Sequence, residues 1–128
     1  RPTDGAPNSV GEGANLIVTA LPSYSLGTGC LEANGLPAGA PVVFFYGSTP
    51  DDTPFGAGVR CVSHPIKRLH PAQVAGRGGV ANICFDFLAP PLYGESPGAL
   101  RYFQAWYIDS GGDRSANMSN AIEVTLCY

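Results

Sequence analysis

Residues 80–88, VANICFDFL, alternate without a slip: Val80, Asn82, Cys84, Asp86 and Leu88 fall on one face, and Ala81, Ile83, Phe85 and Phe87 on the other. A period of two is that of a β-strand with one covered face, so the second set is read as core. On either side of this strand, glycine and proline clusters mark turns: Ala75 to Gly79 before it and APPLYGESPG after it. The window sets the grammar of the chain, which is short strands separated by turns.

Other stretches fit the same grammar. Asn15 to Leu21, NLIVTAL, is apolar and β-branched and stops at Pro22, as a first strand of about seven residues should. A turn-rich SYSLGTG then leads to CLEANGLP. Val42 to Gly47, VVFFYG, is apolar at consecutive positions, which predicts a central strand covered on both faces. Leu100 to Ile108, LRYFQAWYI, places aromatics on both of its faces, and Asn120 to Cys127, NAIEVTLC, puts Ile122, Val124 and Leu126 on one. VRCVS and PIKRLH read as short or edge strands, because Pro65 and Pro71 remove ladder donors. Residues 48–58, STPDDTPFGAG, read as a loop, with Pro50 and Pro54 bracketing Asp51-Asp52. PAQVAGRGG could carry one helical turn, but Gly76, Gly78 and Gly79 stop it. Seven or eight strands without a convincing helix predict an all-β, two-sheet β-sandwich of Ig-like or jelly-roll type.

The 128 residues suit one domain, 14–128, preceded by an extended arm, 1–13 (RPTDGAPNSVGEG), that cannot bury much. Seventeen glycines and twelve prolines punctuate a chain that is 45% hydrophobic, so they break up folded elements rather than dilute them. With 13% charged residues and a net charge of −3, there is no basic stripe to displace counterions from a phosphate backbone, and nucleic acid is excluded as a partner. No apolar run is long enough to span a bilayer.

Cys30, Cys61, Cys84 and Cys127 lie far apart, with none of the close pairs of a zinc knuckle or redox centre. Widely spaced cysteines in an even number predict two disulfides and an oxidising, extracellular location. The Arg1-Pro2 start agrees with removal of a signal peptide, although a chain boundary would look the same. Four cysteines allow three pairings. Cys84 sits mid-strand opposite Phe85, and a mid-strand cysteine bridges to another strand while a terminal one clamps the last strand, which favours Cys30 with Cys84 and Cys61 with Cys127.

Chemistry-bearing clusters are few. His64 and His70 flank Lys67 and Arg68, but at i and i+6 on a strand they stand about 20 Å apart, too far for one metal, and a solvated edge strand accounts for them better. Asp51-Asp52 and Asp109 to Asp113 offer oxygen ligands without the spacing of a calcium loop, so turn formation explains both. No nucleophile elbow marks a serine triad, and neither an enzyme nor a cofactor is expected. Six tyrosines and one tryptophan raise the prospect of sugar stacking. Tyr24, Tyr93 and Tyr128, in loops or at the end, are the candidate platforms, while mid-strand Trp106 is read as core. Asn117-Met118-Ser119 is a glycosylation sequon placed on a turn expected to be exposed, and Thr49-Pro50 and Thr53-Pro54 offer O-linked alternatives.

Two stretches, PFGAGVRCVSHPIKRLHP and LRYFQAWYIDSGGDRSANMSNAIEVTLC, resemble the terminal domain of large secreted proteins from planctomycete-like environmental bacteria. In that group a Phe-Gly-x-Gly-x-Arg-Cys segment, a Phe-Gln-x-Trp-Tyr-x-Asp strand and a closing Asn-x-Ser-(Asn/Asp)…Val-Thr-x-Cys strand recur. The resemblance covers about residues 15 to 127. It implies a small, secreted, non-catalytic β-sandwich and supports Cys61 pairing with Cys127. The chain departs from the pattern in carrying Cys30 and Cys84 as well. The resulting expectation is an extracellular structural subunit that self-associates into a filament or other assembly, with the arm or the strand beginning Asn15, Leu16, Ile17, Val18 docking on a neighbour's sheet. The alternative is a carbohydrate-binding or adhesion module.

Overall fold

A computed structural model of the chain describes residues 8, 9, 11, 13–23, 25–56, 58–63, 65–69, 71–88, 92, 94–109 and 116–127. Eleven strands and no helix occur among them, so the all-β expectation holds while the strand count is higher. They are β1 (Asn15–Ser23), β2 (Thr28–Asn34), β3 (Pro41–Gly47), β4 (Pro50–Phe55), β5 (Gly58–Val62), β6 (Lys67–Arg68), β7 (Gln73–Val74), β8 (Ala81–Asp86), β9 (Leu100–Ile108), β10 (Ala116–Met118) and β11 (Ile122–Thr125). The excess comes mostly from interrupted strands. β10 and β11 pair with opposite halves of β9, and β6 and β7 with opposite halves of β3, so six strands form four rows.

Two sheets face each other: β1-β2-β8, and the larger sheet built on β9 and β3. Between them lies the main core. Leu31, Ala33, Ile83 and Phe85 come from the smaller sheet, and Val42, Phe44, Tyr46, Phe103, Ala105 and Tyr107 from the larger. The Phe103 ring stacks at 5.2 Å on Tyr46 and at 5.9 Å on Phe85, which joins the two sheets at the centre. β8 is buried and exposed at alternate positions because only one of its faces is covered. In β3, Phe44, Phe45 and Tyr46 are all buried because a second layer covers the other face.

That second layer is the β4–β5 hairpin, which lies over the outer face of the larger sheet and closes a smaller cluster of Phe45, Cys61, Val62, Met118 and Ala121. The loop expected over 48–58 is therefore corrected: most of it is strand. Local turn chemistry is overridden by pairing with β5, with a register shift between Pro50 and Thr53 absorbing the proline- and aspartate-rich start.

Cys30 and Cys84 are directly opposite on β2 and β8 and form a disulfide on the exposed side of the smaller sheet. The second expected bridge is not formed: Cys61 and Cys127 are thiols. Cys61 packs into the outer-face cluster, whereas Cys127 leaves the larger sheet to meet the edge of the smaller one at Ser23, its amide donating to the Pro22 carbonyl at 2.9 Å. The two sulfurs serve different layers.

Candidate functional site: a cleft beside the hairpin

The hairpin does not cover all of the outer face. Residues directly across an antiparallel ladder share a face, and the register sets Met118 opposite Trp106, Trp106 opposite Val43, and Phe45 opposite Arg68. These five side chains, from four strands, floor a cleft of about 210 Å³. Phe55 and Arg60 of the hairpin form one wall and Ile66 the other. Phe55 meets Trp106 edge-on, with ring centroids 6.2 Å apart.

The hairpin wall is held by polar side chains that point out of the sheet. Gln104, fully buried two residues before Trp106 on the same face, accepts the Cys61 amide at 2.8 Å and donates to the carbonyls of Val59 at 2.8 Å and Ser119 at 2.7 Å. At the hairpin tip Gly56 takes a φ of 57°, and a Cβ there would stand 2.2 Å from the Ala116 carbonyl oxygen. A Cβ on Gly58 would lie 2.5 Å from Asn117 Oδ1. Only glycine lets the turn press this closely on β10.

Charge in the cleft is cationic. Arg60 donates to the Val62 carbonyl at 2.9 Å and to Asp51 Oδ2 at 3.2 Å. Backbone and side-chain hydrogen bonds from Asp52, Thr53 and Arg60 hold the Asp51 carboxyl below its ordinary value. Arg68 is exposed and makes no ion pair among the described residues, whereas Lys67 beside it donates to Glu95 at 3.1 Å. The Nε1 of Trp106 is buried with no acceptor among the described residues. The chemistry such a surface offers is stacking on an indole face plus charge-assisted hydrogen bonds from a guanidinium.

The residues singled out in the sequence are distributed elsewhere. Tyr24, Tyr93 and Tyr128, and likewise His64 and His70, lie outside the described residues. Asn15, Leu16, Ile17 and Val18 are in β1, paired with β2 of the same chain. The outward amide of Leu16 donates to Asn120 Oδ1 at 2.7 Å, so part of this edge is already closed. Asn117 is corrected from an exposed turn to β10: it is 0% exposed, and its Oδ1 accepts the Met118 amide at 2.8 Å, which leaves no room for a glycan in the folded chain. Trp106, expected in the core, is half-buried and forms part of the cleft. From the arm, Asn8 donates to Tyr107 Oη at 3.1 Å and the Ser9 amide to Asp109 Oδ2 at 2.8 Å.

No helix among the described residues is long and apolar enough to cross a membrane. Compared with known proteins, the chain matches no family model, no curated protein and no solved structure.

Proposed function

We propose that this chain is a secreted, non-enzymatic carbohydrate-binding or adhesion module, and that the cleft over Trp106 is its binding site. The observation that carries the reading is the combination of a half-buried indole, an edge-on Phe55 and two arginines in one opening. Aromatic walls fit the apolar face of a pyranose, and guanidinium groups donate to its oxygens. Apolar, aromatic and cationic side chains make up the lining, a set suited to holding a ligand rather than to moving protons. The Cys30–Cys84 disulfide supports an oxidising location. Because Trp106 is the sole tryptophan, its emission reports on the cleft alone. Glycan-array binding accompanied by a change in that emission is the expected result, with both lost in Phe55→Ala and array binding lost in Trp106→Phe. Absence of binding to any glycan rejects the reading.

A self-associating structural subunit is the second reading, favoured by one observation: the arm docks through specific contacts at Tyr107 and Asp109, which a neighbour's arm could occupy instead. It predicts concentration-dependent assembly by sizing and negative-stain microscopy that is abolished when residues 1–9 are removed. A monomer at all concentrations rejects it.

A further inference from the structure

The cleft joins an apolar floor to a positive charge, and that junction selects among sugars. Arg60, Lys67 and Arg101 are each tied to a carboxylate, whereas Arg68 meets none among the described residues. Arg68 leaves β6 directly across from Phe45, so its guanidinium emerges at the rim of the same face that carries Trp106. Among the described residues no carboxylate lines the opening. A planar fork of donors beside an aromatic floor matches a carboxylate carried on a ring that stacks: the fork takes both oxygens while the ring covers the indole. At about 210 Å³ the cleft is smaller than the ~300–1,000 Å³ of sites for drug-sized ligands, which suits one sugar ring. The chain's net charge of −3 opposes densely charged polyanions, so the attraction is local and fits a single acidic group.

We infer that the ligand is an acidic sugar, a hexuronate residue of an extracellular polysaccharide, with its carboxylate on Arg68 and its ring over Trp106. The inference rests on the reading of the cleft as a glycan site.

The test titrates the whole oxidised protein with oligomers of galacturonate, glucuronate and mannuronate, and with the same oligomers after carboxyl reduction, reading Trp106 emission. At least one uronate is expected to bind tenfold or more tightly than its reduced form, with the difference shrinking as salt rises. Arg68→Gln, a substitution at an exposed position, is expected to erase the preference, so that the variant binds the acid no more than about twofold more tightly than the reduced sugar. Arg68→Lys, which keeps the charge without the fork, is expected to fall between the two. If the reduced oligomers bind as tightly as the acids, or if Arg68→Gln keeps the preference, the acidic-sugar inference fails while the glycan reading stands. If neither form of any oligomer, nor any glycan on an array, perturbs the emission, both fail.

Discussion

Gln104 accepts the Cys61 amide at 2.8 Å, which ties the hairpin to the outer face of the larger sheet. The amide group of Gln104 acts as a short piece of ladder between β9 and β5, since it also donates to Val59 and Ser119. Replacing it by leucine takes a partner from the buried Cys61 N–H and from the buried Ser119 carbonyl, each costing about 1–3 kcal/mol if nothing relaxes, and one from the part-buried Val59 carbonyl. Gln104→Leu is therefore expected to lower the urea midpoint by an amount equivalent to several kcal/mol at most, and to speed hydrogen exchange at Cys61 and Val62 more than in β8. Uniform loss of protection across both sheets would contradict this assignment.

The Cys30–Cys84 bridge closes a separation of 54 residues. Chain-entropy estimates for a loop of that size give about 4 kcal/mol of stabilisation. Cys84→Ser, studied together with Cys30→Ser so that no odd thiol remains, is expected to lose stability of that order. Thiol counting checks the pairing directly: the unreduced chain should show two reactive thiols in denaturant and one when folded, because Cys127 is exposed and Cys61 is buried. A count of zero in denaturant would establish the second bridge instead.

The strands that were legible in the sequence are those whose burial is dictated by a single nearby pattern. Alternation at Ala81, Ile83 and Phe85 needs only one covered face, and the unbroken run at Val42 to Tyr46 needs two, so both are visible without knowledge of topology. β4 was not legible, because Pro50, Pro54 and the aspartates favour a turn locally, and it is pairing with β5, together with the Arg60–Asp51 ion pair, that holds them extended. The cleft was hidden for a related reason. Phe45 and Arg68 become neighbours through a register no local rule reveals, and Trp106 is indistinguishable from a core residue until the extent of the hairpin is known. The sequon at Asn117 misled for want of the same layer, since the hairpin tip is what buries β10.

Glu95 collects three donors: Tyr46 Oη and Lys67 Nζ reach Oε2, both at 3.1 Å, and Arg101 reaches Oε1 at 2.6 Å. Burial pushes its carboxyl up, but the hydrogen bonds from Arg101, Lys67 and Tyr46 outweigh this and hold it below the usual value of 4.5. A carboxyl whose pKa is lower in the folded than in the unfolded chain contributes stability that is fully present above the unfolded value and lost as pH falls through the folded one. Thermal melts are expected to be flat for this group above about pH 5 and to decline below it. Glu95→Gln should flatten that acid limb and cost about 1.5–3 kcal/mol near neutrality, as expected for charge-assisted bonds. An unchanged acid limb in the variant would assign the decline to other carboxylates.

Gly56 offers the sharpest separation of hairpin placement from global stability. Its φ of 57° already disfavours any side chain, and the 2.2 Å approach of a Cβ to the Ala116 carbonyl means backbone, not a flexible side chain, must give way. Gly56→Ala is therefore expected to lift the tip away from β10, taking Phe55 off the edge of Trp106. The main core, which lies on the opposite face of the larger sheet, is expected to keep its packing. The signature is a shift of the single tryptophan's emission to longer wavelength and greater quenching by acrylamide, at a loss of about 1–3 kcal/mol. A variant that loses stability with Trp106 emission unchanged would mean the tip adjusts in place and that Phe55, not the turn, fixes the width of the cleft.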